Sequence, residues 1–398
     1  MAISILKKKK TEEKPSEPSA RRERTVVDER GMMDFPFLVL TLLLAVVGLI
    51  MLFSASFARA YQNEGNSAYY FVRQVGFAVG GIIAMLLASR VNYFVWYRLS
   101  VYILGAAVLL MLLVPIAGTR ENGAKRWIRL LGISFQPSEI AKLAVILSFA
   151  SAMSVFRDKM DTFKYGVLPY IAVLGVIGGL LLIEPHLSAT LIIAAVGAVM
   201  MFMGGTKKRW FLIGLLIILG VVAIFFVTKG DYAVQRITAW LHPENDPSDS
   251  GYQIIQSRYA IGSGGAVGLG FGKSRQKYLY LPEEHNDYIF AIVCEELGFV
   301  GALVVIALFV LLIVRGYWIA MHAKDRFASL TAAGITTLLA LQVFLNIGVV
   351  TNFLPSTGIS LPFFSYGGTA LLLQLFEMGI VLGISRWGNT ELTLGKRE

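Results

Sequence analysis

The sequence predicts an all-α, polytopic integral membrane protein of about ten transmembrane helices with one large extracytoplasmic loop. Three observations predict it. The 398 residues are 56% hydrophobic and only 16% charged, against roughly 25% charge in a soluble domain. The charges are segregated, so that long uncharged runs alternate with charged punctuation. The runs show no period of two, which excludes the alternating strands of a membrane barrel and makes the spans helical.

Residues 1–34 read as a disordered basic cytoplasmic tail. Lys7-Lys8-Lys9-Lys10 is followed by Glu, Pro, Ser and Arg rather than by an apolar run, so the segment is no signal peptide. It suits contact with anionic headgroups or a partner protein, or serves only to anchor topology. The membrane domain covers 35–386. A hydrocarbon core takes about 20 apolar residues per helix. Ten segments qualify: 35–57, 69–89, 99–115, 137–156, 166–183, 187–203, 211–228, 287–314, 328–351 and 363–385. Only Glu184-Pro185-His186 separates the fifth from the sixth. Residues 387–398 form a second short tail. With both ends cytoplasmic, 23 Lys and Arg residues fall in inner segments and 11 in outer ones, which is the bias the positive-inside rule requires. Cys294 is the single cysteine and lies within the eighth span, so no internal disulfide forms. The four histidines are scattered, and no metal-ligand cluster is read. No nucleic-acid partner is expected.

Ten of the outer basic residues sit in the second and fourth outer loops (116–136 and 229–286), against the general bias. They either solvate long loops or bind an anion. The fourth loop is 58 residues long, a length that is usually functional or disordered. Tyr232–Leu241 and Tyr252–Ile261 are amphipathic stretches suited to the interface, joined by the turn cluster 242–251. Then come glycines at 262, 264, 265, 268, 270 and 272, followed by Lys273, Arg275 and Lys277. Glycine lets backbone N–H groups converge on an anion, and a flexible loop is the plainer reading. A nucleotide P-loop at Gly272-Lys273-Ser274 is rejected, because that pattern needs glycine where Val267 stands.

Asp287 opens the eighth span. It is either a helix N-terminal charge, worth about 0.3–1 kcal/mol, or a general base. Glu283, Glu284 and His285 lie within four residues of it, and clustered carboxylates raise one another's pKa. Ionisable groups inside spans are functional candidates by default. Glu139 and Lys142 share one face of the fourth span at i, i+3. They are expected to line a water-filled cavity below the Asp287 loop, the alternative being a self-neutralising packing pair. Glu295 and Glu296, roughly 12 Å deeper than Asp287, read as structural bracing with Arg73 as a partner, and Glu377 is similar.

Several motifs together carry a resemblance to a known family. They are Gly123-Ala-Lys-Arg-Trp127, Gln136-Pro-Ser-Glu-Ile-Ala-Lys142, AIGSGG at 260–265, LPEEHNDYIFA at 281–291, EELG at 295–298 and NIGVVTNFLPSTGISLPFFSYGG at 346–368. From Phe35 to Arg386 the chain resembles the SEDS proteins of shape, elongation, division and sporulation. Within that family it looks like the cell-division branch, with the sporulation branch nearly as close. It departs from the family at Glu184-Pro-His-Leu, where Pro-Asp-Leu-Gly is usual.

The resemblance implies a peptidoglycan glycosyltransferase of the bacterial inner membrane, at the division septum, polymerising lipid II onto a growing glycan strand. It places the family's essential aspartate on Asp287, a functional arginine on Arg126, and a polar cavity pair on Glu139 and Lys142. It implies a class B penicillin-binding protein as partner, among other divisome membrane proteins. Lys125, Arg126, Lys273 and Arg275 would meet the charge developing on the diphosphate leaving group. A divalent cation (Mg or Mn) bridging the diphosphate suits that step, and the sequence offers no ligand set for one. Two other classes are weighed against the enzyme: a lipid II flippase or transporter, and a non-catalytic scaffold for the transpeptidase. Charge gathered on the outer face rather than at midplane favours the enzyme over the transporter. A scaffold would not need the Asp287 cluster.

Overall fold

The computed structural model describes residues 31–121, 124–130, 133–184, 186–214, 216, 240–245 and 250–388. Nearly everything in it is helix. In chain order the elements are α1 (Phe35–Glu64), α2 (Tyr69–Ala88), α3 (Tyr93–Ala117), β1 (Thr119–Glu121), β2 (Ala124–Leu130), β3 (Ile133–Phe135), α4 (Pro137–Val155), α5 (Phe163–Gly166), α6 (Leu168–Ile183), α7 (Leu187–Met203), α8 (Ser250–Gly264), α9 (Ile289–Met321), α10 (Arg326–Val350) and α11 (Gly368–Gly388). Among the described residues eight helical stretches are long and apolar enough to cross a membrane, α5 and α6 counting as one, and α7 is a shorter apolar helix. The expected seventh span, 211–228, and the stretch 232–241 fall almost entirely outside the described residues, as do most of both tails.

The helix ends follow local chemistry. Asp34 caps α1 by accepting from the Phe37 N–H, Pro36 occupies the first turn, and Gly65 ends the helix in the left-handed region at φ 67°. Asn92 caps α3 and Asp325 caps α10 in the same way as Asp34. At 30 residues α1 is about 45 Å long, longer than the ~30 Å hydrocarbon core. It therefore overshoots the expected 35–57 span and carries Arg59 beyond it. The helices α4, α10 and α11 form the centre, with 67%, 72% and 67% of their apolar windows buried, against 22–28% for α2, α3, α6 and α9. These peripheral helices present their apolar residues outward.

Three local features depart from expectation. The second loop is a small antiparallel sheet in the order β1-β2-β3, pairing Arg120 with Lys125 and Arg129 with Ser134. The last span starts at Gly368 rather than 363, because 351–367 is an irregular segment folded back into the bundle, with Leu361, Phe363 and Phe364 buried. The third is a kink in α9 at Gly298, whose φ of 69° and ψ of −171° are open to glycine. There the loop after α8 inserts into the helix. Leu269 and Gly270 N–H donate to the Glu295 and Glu296 carbonyls, while Phe299 and Val300 N–H donate to the Gly265 and Ala266 carbonyls. The backbones are so close that a Cβ on Gly268 would lie 2.2 Å from the Glu296 carbonyl oxygen.

Candidate active site

Asp287 sits between a turn-rich segment and α9. Its backbone is held by three consecutive carbonyls. The His285 carbonyl accepts from the Tyr366 N–H at 2.9 Å, the Asn286 carbonyl from Ser365 Oγ at 2.7 Å, and the Asp287 carbonyl from Asn346 Nδ2 at 2.7 Å. Asn346 Nδ2 also donates to the Ile359 carbonyl at 2.7 Å. The neighbouring side chains fasten the same segment from the other side. Arg59 makes two 2.7 Å bonds to the buried Glu284 carboxylate, and His285 stacks on Tyr70 with ring centroids 5.0 Å apart. Asn286 Nδ2 donates to Glu283 Oε2.

The Asp287 carboxylate itself packs on Gly358, where an added Cβ would stand 3.2 Å from Oδ2. Burial pushes its pKa up to about 6, with help from the Glu283 carboxylate, while His285 and Arg126 pull the other way. Arg126, on β2, is the cation shared by this site and its neighbour. Its Nε donates to the Glu184 carbonyl at 3.4 Å, and its charge acts on Glu184, His186 and Asp287. Burial pushes Glu184 up to about 7, opposed by Arg126. Among the described residues neither Glu184 carboxylate oxygen has a hydrogen-bond donor. Burial, then Arg126 and Lys142, lowers His186 to about 3, so it is neutral. It lies beside Gln136 Nε2 at 3.3 Å. Ser188 Oγ donates to the Thr357 carbonyl, next to Gly358.

Below these groups Lys142 Nζ and Glu139 Oε2 are 2.6 Å apart, Lys142 being buried, and both charges act on the buried Glu377 of α11. Arg126, Glu184, His186, Lys142, Glu139 and Glu377 thus form a run of ionisable groups leading inward from Asp287.

The structure separates other predicted residues from this site. The glycine-rich loop is no anion nest, because its N–H groups at 268–270 are spent on carbonyls. Lys277 is buried and paired with Glu296 at 3.0 Å, and it also donates to Ser54 Oγ and the Gly272 carbonyl. Glu296 further accepts from Ser54 Oγ, and Glu295 accepts from Ser274 Oγ and the Arg275 N–H. The two glutamates therefore brace the loop, with Lys277 as the cation. Arg73, the expected partner, bonds to the Tyr69 hydroxyl instead. Lys273 and Arg275 are exposed on the loop, and the charges that act on Asp287 are Glu283, His285 and Arg126. Lys125 donates to the Pro115 carbonyl at 3.3 Å. Glu284, one of the carboxylates clustered near Asp287 in the sequence, is consumed by Arg59. Sequence reasoning passed over Asn346, Gly358, Ser365 and Arg59. The signal for the first three was the long motif 346–368, in which polar residues and glycine interrupt an apolar context.

Comparison with known proteins accords with this architecture. The family model for FtsW, RodA and SpoVE cell cycle proteins matches residues 35–390. A probable peptidoglycan glycosyltransferase FtsW from Trichlorobacter lovleyi is 41% identical over 88% of this chain and 93% of its own length. The stage V sporulation protein E of Bacillus subtilis is 40% identical over 89% of this chain and 97% of its own. Among solved structures, a chain of a peptidoglycan synthase complex that coordinates polymerization and crosslinking superposes with a TM-score of 0.77 at 27% identity, covering 90% of this chain and 99% of that one. The rod shape determining protein RodA of Thermus thermophilus gives 0.66 at 26% identity, covering 89% and 97%. A helical bundle of membrane-crossing length with a clamped aspartate beside an arginine defines the class, a polytopic integral membrane protein with a polar site at one end. Within that class, the chain belongs to the FtsW/RodA/SpoVE family of cell cycle proteins.

Proposed function

We propose that this chain is a peptidoglycan glycosyltransferase that polymerises glycan strands from lipid II on the outer face of the bacterial inner membrane, with both termini cytoplasmic. Asp287 removes the proton from the 4-hydroxyl of the acceptor sugar. That oxygen attacks the anomeric carbon of the donor strand, the bond to undecaprenyl diphosphate breaks, and the α-linkage inverts to β. Arg126, beside Asp287, meets the negative charge growing on the diphosphate, with Lys125, Lys273 and Arg275 available at longer range. Glu139 and Lys142 line a polar cavity below. Among the described residues no group of three or more His, Cys, Asp or Glu stands where it could hold a metal ion. The described donors do not fit a resident divalent cation, and no step is assigned to one.

The observation that carries this reading is the clamp on carbonyls 285–287, which grips main-chain oxygen and so fixes the backbone beneath a carboxylate of raised pKa. A helix-capping charge needs no such frame. Of the relatives named above, one is a probable peptidoglycan glycosyltransferase FtsW and one belongs to a peptidoglycan synthase complex, and we take this chain to work at the septum with a class B penicillin-binding protein among other divisome proteins. The test is the purified full-length protein with labelled lipid II and its transpeptidase. Asp287→Asn should cut polymerisation by roughly 10²–10⁴-fold at unchanged protein level. Near-normal glycan chains from that variant would remove Asp287 from the mechanism.

A further inference from the structure

The far end of the bundle holds a second polar feature that the polymerase reading does not use. It lies where α9 finishes, more than thirty residues along the helix from Asp287. A cavity of about 420 Å³ opens between the turn after α4, the end of α7 and the α9–α10 junction. Its walls carry Arg157, Lys324, Arg326 and Ser329, with Met203 and Leu330 beside them. We propose that this cavity binds the phosphodiester headgroup of an anionic phospholipid of the same membrane.

The charge balance points to an anion. Asp325 is the one carboxylate on the cavity wall, and its oxygens are committed within the protein: Oδ1 accepts from the Ala328 N–H and Oδ2 from the Tyr93 hydroxyl at 2.5 Å. Nearby, Asp161 is paired with Lys207 at 2.9 Å. Asp158 lies within electrostatic range of Arg326, but so does Arg157, so two guanidiniums face a shared space. Arg326 spends one nitrogen on the Gly204 carbonyl, which holds the guanidinium at the wall. Arg157 and Lys324 are exposed and have no ion pair among the described residues. Three cations against the one carboxylate leave the wall net positive, which favours an anion there.

Position selects the source of that anion. The cavity sits at the ends of membrane-crossing helices, with cations over aromatic rings on the same rim: Lys159 and Lys164 over Tyr165, and Arg209 over Trp210. Such rings mark the headgroup level. Met203 and Leu330 give the wall an apolar part. Basic pockets between helices at this depth suit lipid phosphates, and a soluble phosphate would have no use for the apolar wall.

The test is native mass spectrometry of the full-length protein released from neutral detergent, titrated with phosphatidylglycerol, phosphatidylcholine or glycerol 3-phosphate. Phosphatidylglycerol should be retained at least fivefold over phosphatidylcholine. The double variant Arg157→Gln, Lys324→Gln should lower that retention on the order of tenfold. A Lys208→Gln variant, which changes a cation away from the cavity wall, should retain the lipid as before. Melting temperatures of all three proteins should agree, which separates a lost site from a lost fold. Equal retention of the two lipids, or unchanged retention in the double variant, overturns the proposal. Glycerol 3-phosphate binding as tightly as the lipid overturns the membrane source.

Discussion

At the scale of single residues, the Asp287 carboxylate has a pKa near 6 because burial and Glu283 outweigh His285 and Arg126. A base must be ionised to accept a proton. Its active fraction is therefore half at about pH 6 and falls roughly tenfold per unit below that. Steady-state polymerisation of lipid II should show this acid limb. Glu184→Gln should leave the limb in place, because Glu184 titrates near 7 and lies across Arg126. A limb that moves with Glu184 would transfer the role to that residue. Gly358 offers a second check. Its φ of +65° disfavours any side chain, and a methyl there would press on Asp287 Oδ2. Gly358→Ala should lower turnover far more than it lowers melting temperature, measured on the same preparation.

Among the elements, the loop after α8 is neither the anion nest nor the flexible loop that its glycines left open, and the reason is physical. Glycines followed by cations satisfy the pattern of an anion nest, yet the same glycines are what a loop needs to lay its backbone against a broken helix. The sequence does not distinguish a ligand from a second strand of chain as the acceptor of those N–H groups. The buried pair Glu296–Lys277 then locks the insertion. Removing one partner of a buried pair leaves a charge unpaired and costs about 3–5 kcal/mol, while replacing both with apolar groups is often neutral. Lys277→Ala should therefore lower melting temperature sharply, and Lys277→Met with Glu296→Leu should recover most of the loss. An equally unstable double variant would show that the bonds from Ser54 and Ser274, not the ion pair, hold the loop.

Over the whole molecule, the helical class was legible because lipid imposes long apolar runs, and among the described residues eight of the expected spans appear with at least one end shifted, while the sixth appears as α7 at the expected 187–203. The shifts have causes. Asp34 and Gly65 set α1 by capping, and Pro and Gly residues in 351–367 prevent helix before Gly368. Asp287 and the Glu139–Lys142 pair were visible as isolated charges in apolar surroundings. Asn346 and Ser365 were not, because single neutral polar residues carry little compositional signal and their role is to bond backbone. Orientation rests on the basic bias. A cysteine introduced at exposed Val267 should react with an impermeant reagent added outside, and one at Lys324 only after permeabilisation, since Cys294 is buried. The reverse pattern would invert the protein.

The clamp on carbonyls 285–287 has one further consequence. Tyr366, Ser365 and Asn346 grip main-chain oxygen, so truncating the side chain at 287 leaves the frame intact and opens a carboxylate-sized vacancy at the end of a rigid support. Asp287→Ala should therefore be open to chemical rescue. Formate or azide supplied at high concentration should restore part of the polymerisation lost, saturating with the added anion, whereas Asn346→Ala, which loosens the frame, should gain nothing from the same anions.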